Sequence, residues 1–167
     1  MARKDANYLS GGQKRRLSFA MSLVSNPQIL FLDEPTVGMD TEFRMEFWKI
    51  INELRANHKT IFVTSHNLDE LNDYCNRFIF IHNGLIVKNI TKDELNGEKI
   101  LVVVNENQES LNHIQATYGG NIIENKLYLT EMERHQELME IFEEEKMDYE
   151  YRFKEVKDLY REINMIS

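Results

Sequence analysis

The sequence predicts an α/β fold with parallel strands, followed by a smaller α+β unit. The unbroken apolar run at 29–32 is typical of a strand buried on both faces, and 60–64 is predicted to be a second buried strand. The helical segment between them makes a parallel strand–helix–strand unit. Beyond Gly97, the order strand, helix, strand, strand, helix, strand predicts a ferredoxin-like βαββαβ sandwich. Gly97 therefore marks the predicted boundary between a first domain, residues 1–97, and a second domain, residues 98–167.

Composition narrows the classes of function. The 167 residues carry 20 Lys and Arg against 28 Asp and Glu, a formal net charge of −8, which argues against nucleic acid as a partner. Cys75 is the single cysteine, so no disulfide can form within the chain, and this suits a reducing cytoplasm. No apolar run reaches the roughly 20 residues of a membrane-spanning helix, so we expect any membrane role to come through a partner.

The first helix is predicted from its cap. Ser10 is a good N-cap residue, and Gln13, three positions on, completes a capping box. The following apolar residues recur at helical spacing and predict an amphipathic helix: Leu17, Ala20, Met21 and Val24. The basic run 14–16 is interpreted as a solvated face of this helix.

The second and third helices and a hairpin turn are also predicted from short sequence signals. Asp40 or Thr41 can cap a second helix, and Asn67 a third, with Glu70 three residues on. The apolar face of the second helix is Phe43, Phe47, Ile50, Ile51 and Leu54. The dipeptide 83–84 (Asn-Gly) predicts a type I′ hairpin turn.

The tail is assigned from alternating and helical apolar spacing. The predicted strands are 100–104, 122–124, 127–130 and 149–153, and the predicted helices are 109–118 and 132–146. A last helix has one apolar side, made of Val156, Leu159, Tyr160 and Ile163.

Polar residues follow both predicted parallel strands. Asp33 and Glu34 come after the first, and Ser65 and His66 after the second. Ligands of parallel α/β sheets bind at the carboxyl ends of the strands, so these residues should line one edge. An adjacent acidic pair is costly without a balancing cation or ordered water. The sequence thus predicts that Asp33 helps hold Mg²⁺ and that Glu34 handles a water molecule.

A glycine-rich turn precedes the first helix. Ser10 offers a hydroxyl group, and Gly11 and Gly12 allow main-chain N–H groups to approach an anion without Cβ obstruction. The positive end of the helix dipole adds to this attraction. Phosphate is the expected ligand.

These motifs resemble those of ATP-binding cassette (ABC) ATPases in order and spacing. Residues 9–13 match the LSGGQ signature, 29–34 resemble the Walker B strand, and 37–40 resemble the D-loop, while His66 falls at the switch histidine. The resemblance implies the C-terminal part of a P-loop (RecA-like) domain. The pattern Arg44…Phe47-Trp48 and the ferredoxin-like tail look most like those of bacterial exporters whose ATPase and membrane subunits are separate chains.

The resemblance also implies a role for each matching residue. The signature residues Ser10, Gly11, Gly12 and Gln13 would contact the γ-phosphate of ATP held by the opposite subunit of a dimer.

Three further roles belong to the strand ends. Asp33 would bind Mg²⁺ through water, Glu34 would be the general base, and His66 would contact the γ-phosphate and position the attacking water. Asp40 would help assemble the dimer interface, although an ordinary N-cap remains the alternative. The implied partners are a second ABC ATPase subunit and a transmembrane permease, which would place the chain at the cytoplasmic face of the membrane.

One family motif is missing from these residues. The P-loop pattern G-x-x-x-x-G-K-[ST] requires a glycine followed by lysine, and no glycine here is followed by lysine. We therefore expect this chain alone neither to bind ATP tightly nor to hydrolyse it. We also expect strand 60–64 to have an open apolar edge, which invites self-association.

Two other functions stay open at this point. Chromosome-maintenance and DNA-repair ATPases also pair an LSGG signature with Walker B, but the segment 34–36 (Glu-Pro-Thr), the absence of heptads and the acidic charge favour the transporter. A non-catalytic fragment that donates its signature helix to a complete ATPase is the other possibility.

Overall fold

A computed structural model describes residues 9–130 and 135–165 of the chain. These residues form two compact units that divide between Tyr74 and Cys75. The elements of the first unit are α1 (Gly11–Val24), β1 (Ile29–Asp33), α2 (Thr41–Ala56), β2 (Thr60–Thr64) and α3 (Leu68–Tyr74). Those of the second are β3 (Arg77–His82), β4 (Leu85–Thr91), α4 (Lys92–Gly97), β5 (Lys99–Val104), α5 (Gln108–Tyr118), β6 (Asn121–Ile123), β7 (Lys126–Leu129), α6 (His135–Glu144), β8 (Asp148–Phe153) and α7 (Val156–Met165).

The first unit contains the predicted parallel strand–helix–strand arrangement. Strands β1 and β2 pair in parallel, with Ile29 opposite Thr60 and Asp33 opposite Thr64. Its core is apolar and largely helical in origin: Phe19, Leu30, Met39, Phe47, Trp48 and Ile51. Because β1 and β2 are parallel and in register, both strands end at the same edge of the sheet.

The prediction that β1 is buried on both faces and that β2 is a buried strand is wrong. Leu30 is buried, but the alternate residues Phe31 and Phe62 are 74% and 45% exposed. Their rings stack with centroids 4.9 Å apart and planes 7° from parallel. Within the part of the chain that the structure describes, helices pack against the Leu30 face, and the opposite face carries this aromatic pair.

In helix α1, too, residues that were predicted to be buried are exposed. The capping box at its start is as predicted, but Met21 and Val24 of the expected apolar face are 65% and 83% exposed. Phe19, which the periodicity did not single out, is the buried residue of the helix. Its ring contacts Phe47 of α2 at a centroid distance of 4.8 Å. Packing on α2 therefore selects the face of α1 that is buried.

In the second unit, the predicted hairpin is confirmed. Strands β3 and β4 are antiparallel, and the turn residues Asn83 and Gly84 have φ values of 49° and 76°. A type I′ turn requires positive φ at both central residues.

The remaining strands form a sheet in the order β6–β7–β5–β8, with every neighbouring pair antiparallel. The first strand of the βαββαβ sequence thus lies between the third and the fourth, as in a ferredoxin-like sandwich. Its core is Leu101, Val103, Leu111, Ile114, Leu127, Leu129, Leu138, Phe142 and Met147. Helix α6 agrees with the predicted helix 132–146 over 135–144, but it ends at Glu144, and residues 145–146 form a turn in which Lys146 has a φ of 53°. Residues 132–134 lie outside the described residues.

Helix α7 is joined to the sheet by charged contacts. Asp158, only 2% exposed, accepts two hydrogen bonds from Arg152, at 2.7 and 2.9 Å. The Lys154 ammonium lies 2.8 Å from carboxylate oxygens of both Glu98 and Glu162. Every buried charge in this contact therefore has an opposite partner, as burial requires.

The domain boundary predicted at Gly97 stays a prediction. It falls at the end of α4, just before the ferredoxin-like sheet begins. No helix among the described residues is both long and apolar enough to cross a membrane.

Candidate active site

The acidic pair and the histidine lie together at the carboxyl ends of the parallel strands. Asp33 ends β1 and is followed by Glu34, while His66 lies two residues beyond the end of β2. The Nε2 atom of His66 is 3.3 Å from Oε1 of Glu34. The His66 backbone N–H donates to Glu34 Oε2 at 3.4 Å. The imidazole and the backbone N–H of His66, which follows β2, thus each contact one oxygen of the Glu34 carboxylate.

Thr64, which sequence reasoning missed, ties the acidic pair to β2. Its hydroxyl donates to Asp33 Oδ1 and accepts from the Glu34 N–H at 3.1 Å. The Glu34 N–H also approaches the Thr64 carbonyl at 3.1 Å. The sequence does show a hydroxyl-bearing residue, Thr64, at the end of the second strand. Its role can be recognised only when the register that sets Thr64 opposite Asp33 is known.

Glu34 has an unusual backbone conformation. Its φ is 45°, in the left-handed region that costs a non-glycine residue about 1–3 kcal/mol at a constrained site. Pro35 follows and is buried. The contacts from Thr64 and His66 hold this conformation and fix the direction of the Glu34 carboxylate.

The glycine-rich turn forms a regular helix start. The Ser10 hydroxyl oxygen accepts from the Gln13 N–H at 3.2 Å, and Gln13 Oε1 accepts from the Ser10 N–H at 3.1 Å. A Cβ built on Gly11 would meet no atom within 4 Å, and one on Gly12 would meet only the Gly38 carbonyl, at 3.9 Å. Among the described residues, no atom thus obstructs the approach of an anion to these two glycines, and the contact with phosphate stays a prediction.

Asp40 joins α1 to α2. Its Oδ1 accepts from the Phe43 N–H at 2.9 Å as the N-cap of α2, and Oδ2 pairs with Arg16. The Arg16 guanidinium also lies 4.0 Å from the centre of the Phe43 ring. The hydrogen bond from Phe43, followed by the charge of Arg16, outweighs desolvation and lowers the pKa of Asp40. Arg16 is exposed, as predicted for the basic run 14–16, and its guanidinium also contacts Asp40 and Phe43.

An open groove of about 700 Å³ runs beside the start of α1. Its lining includes Gly11, Gly12, Arg15, Asp33 and Gly38. The structure thus brings the glycines of the turn and Asp33 to one groove, while Glu34 and His66 form a separate pair. No contact among the described residues joins Ser10 to Glu34, and the predicted roles of these residues stay predictions.

The carboxylates fit a cation that is completed by other ligands. Within residues 9–130 and 135–165, no three His, Cys, Asp or Glu side chains form a closed metal site. Mg²⁺ is commonly bound by one or two carboxylates together with phosphate and water. Asp33, with one oxygen hydrogen-bonded to Thr64, and the neighbouring Glu34 are a donor set of that kind.

Comparison with known proteins gives a consistent result. A family model described as ABC transporter matches residues 1–37. The Nod factor export ATP-binding protein I of Rhizobium meliloti is 36% identical over 130 residues, 78% of this chain and 36% of the relative. ABC transporter A family member 7 of Arabidopsis thaliana is 30% identical over 152 residues, 79% of this chain and 16% of the relative.

A third relative is named for import. An ATP-binding protein of Halalkalibacterium halodurans, named for ribose/galactose/methyl galactoside import, is 41% identical over 93 residues, 56% of this chain and 18% of the relative. A solved structure, the ATP-binding subunit of an ABC transporter, superimposes with a TM-score of 0.52 at 25% identity, covering 55% of this chain and 38% of that one. The chain spans well under half the length of each of these proteins. Together with the signature, the strand-end acids and the histidine, these findings show that the chain belongs to the ABC transporter ATP-binding protein family, of which it spans a part.

Proposed function

We propose that this chain is part of the ATP-hydrolysing subunit of an ABC exporter, in which ATP hydrolysis drives transport by a membrane permease. The observation that carries the proposal is the pairing of Glu34 with His66 beside Asp33, at the carboxyl edge of two parallel strands. This edge is where α/β sheets bind their ligands.

The proposed chemistry places one function on each residue. Glu34 accepts a proton from the attacking water, and His66 orients that water and contacts the γ-phosphate. A positioned base contributes typically 10²–10⁴-fold to rate. Asp33 helps hold Mg²⁺, which when bound neutralises charge on the phosphates. The Thr64 hydroxyl holds the Asp33 carboxylate and the Glu34 backbone N–H in place.

In this proposal, the glycine-rich turn at the start of α1 contacts ATP that is bound by a second copy of the subunit. The open N-terminus of α1, with Gly11 and Gly12 on the groove, offers N–H groups to the γ-phosphate of ATP bound by a partner subunit. Ser10 and Gln13 keep that turn rigid through the capping box. Asp40, through Arg16, fixes the adjoining loop that would meet the partner.

Export is favoured over import because the relative named for export aligns with more of this chain than the relative named for import. The Nod factor export relative aligns over 78% of the chain, whereas the import relative aligns over 56%. The cargo follows from the permease and not from these residues. The permease contact would place the chain at the cytoplasmic face of the membrane, with residues 98–167 as an accessory domain.

By itself the chain is proposed to be inactive, since its 167 residues contain no P-loop pattern. ATP turnover by the purified chain, abolished by Glu34→Gln, would refute this part. The family function is tested by adding a separate polypeptide that carries the P-loop segment of a relative. We expect turnover to appear and to fall 10²–10⁴-fold with Glu34→Gln. Glu46→Gln, the same change at an exposed position of α2, should leave turnover unaltered.

A second candidate is a non-catalytic donor of the signature helix, favoured by the open N-terminus of α1. Mixing the chain with a complete ABC ATPase discriminates between the non-catalytic donor and the part of a catalytic subunit. A donor would change the turnover of that ATPase in a manner that Ser10→Ala removes and Glu34→Gln does not.

A further inference from the structure

Strand β8 has an unusual pattern of side chains for a strand at the edge of a sheet. It pairs with β5 on one side and is the terminal strand of the sheet among the described residues. Three alternate residues are aromatic and 47%, 44% and 56% exposed: Tyr149, Tyr151 and Phe153. Glu150 and Arg152, between them, carry opposite charges. Exposed aromatic edges invite pairing with another strand.

The backbone of β8 presents these aromatic positions outward. The Lys154 N–H donates to the Glu98 carbonyl at 2.9 Å, in the same register that sets Lys99 opposite Phe153. In an antiparallel ladder, hydrogen-bonding residues alternate along the strand. The even-numbered residues of β8 therefore direct their backbone groups to β5, and Tyr149, Tyr151 and Phe153 direct theirs to the outer edge.

The charges select one register for pairing with a second copy. With Tyr151 opposite Tyr151 of that copy, Glu150 faces Arg152 twice, and Tyr149 faces Phe153 twice. A shift of the centre by one residue either way sets Glu150 against Glu150 or Arg152 against Arg152. Like charges directly opposite each other are destabilising, whereas opposite charges and aromatic pairs stabilise a sheet.

We propose that two copies of this chain associate through antiparallel pairing of their β8 strands, around a two-fold axis at Tyr151. The pairing joins the two ferredoxin-like sheets into one continuous sheet and sets six aromatic side chains on one face. Tyr151 keeps its contact with Lys99, whose Nζ lies 5.2 Å from the ring centre, because that contact is on the face and not at the edge. Arg152 keeps its hydrogen bonds to Asp158 and its ion pair with Glu150 of its own chain, at 3.6 Å, and Glu150 of the second copy adds a further acidic partner.

The first test is the dimer dissociation constant of the full chain, measured by sedimentation equilibrium. We expect a reversible dimer that Glu150→Arg weakens roughly tenfold or more, because both cross-strand pairs become repulsive. The Glu150 side chain is 67% exposed, so this variant should fold, which circular dichroism checks. The control Glu143→Arg, the same change at an exposed position of α6, should leave dissociation unchanged.

The second test reads the register with a short bifunctional thiol reagent, in a Cys75→Ser background. Tyr151→Cys should cross-link efficiently, since the two Cα atoms of a hydrogen-bonded pair are about 5.5 Å apart. Tyr149→Cys should not, since its two copies lie about 14 Å apart. A chain that stays monomeric, a dimer indifferent to Glu150→Arg, or equal cross-linking at both positions would each overturn the proposal.

Discussion

His66 and Glu34 face each other across the ends of two strands, with Nε2 of His66 3.3 Å from Oε1 of Glu34. The residues are 32 positions apart in the sequence. Parallel pairing of β1 and β2, in the register that sets Asp33 opposite Thr64, is what brings them together. The geometry of the candidate site is thus a property of the strand pairing.

Replacement of Thr64 by valine should loosen the acidic pair. The hydroxyl bonds both Asp33 Oδ1 and the Glu34 N–H, and its loss should reduce the free energy of unfolding by about 0.5–1 kcal/mol. Urea unfolding followed by the fluorescence of Trp48, the single tryptophan, measures this. Thr64→Ser keeps the hydroxyl and should lose less; equal losses for the two variants would argue against the hydrogen bonds as the cause.

Removal of the Asp40 carboxylate should destabilise the first unit in a pH-dependent way. Asp40→Asn keeps a capping oxygen but loses the charge that pairs with Arg16, so its thermal midpoint should be lower than that of the wild type. The pKa of Asp40 is lowered in the fold, first by the hydrogen bond from Phe43. Its stabilisation is therefore present above the unfolded-state pKa and disappears as the pH falls through the folded-state pKa.

The pH series supplies the check on that prediction. The difference in thermal unfolding midpoint between wild type and Asp40→Asn should be constant near neutral pH and should disappear at acidic pH. A gap that persists at the lowest pH would assign the effect to something other than ionised Asp40.

Loss of the Asp158 charge should destabilise the second unit strongly. Asp158→Asn leaves Arg152 without its buried partner, and breaking such a pair costs roughly 3–5 kcal/mol. Burial alone raises the pKa of Asp158, but hydrogen bonds from Arg152 and the Glu155 N–H outweigh it and the net pKa is lowered. The contribution is thus lost as the pH falls through the folded-state pKa. Hydrogen exchange of β5 and β8 amides should report the loss; unchanged protection there would contradict the prediction.

Polar replacement of the exposed aromatic pair should improve the behaviour of the chain in solution. Phe31 and Phe62 stack on an exposed face of the β1–β2 sheet, and exposed apolar surface of this kind promotes aggregation. Phe62→Lys should reduce light scattering on concentration while the circular dichroism spectrum is retained. Met45→Gln alters another exposed apolar residue, on α2, and should change scattering little.

Local signals fixed the parts of this fold that depend on neighbouring residues. The capping box of Ser10 and Gln13, the N-cap Asp40 and the turn at Gly84 each use groups within three or four positions of one another. Their hydrogen bonds and positive φ angles are properties of short segments, so the sequence predicted them, although it left Asp40 and Thr41 as alternatives for the N-cap of α2. The order and spacing of the motifs likewise predicted the family.

Tertiary structure decided what depends on residues distant in the sequence. Thr64 holds Asp33 and Glu34 only because two strands are in register, and Arg16 reaches Asp40 only because α1 packs beside α2. The prediction of a strand buried on both faces failed at Phe31 for a related reason. Hydrophobicity states what a side chain favours, whereas its burial depends on which surface is available to cover it.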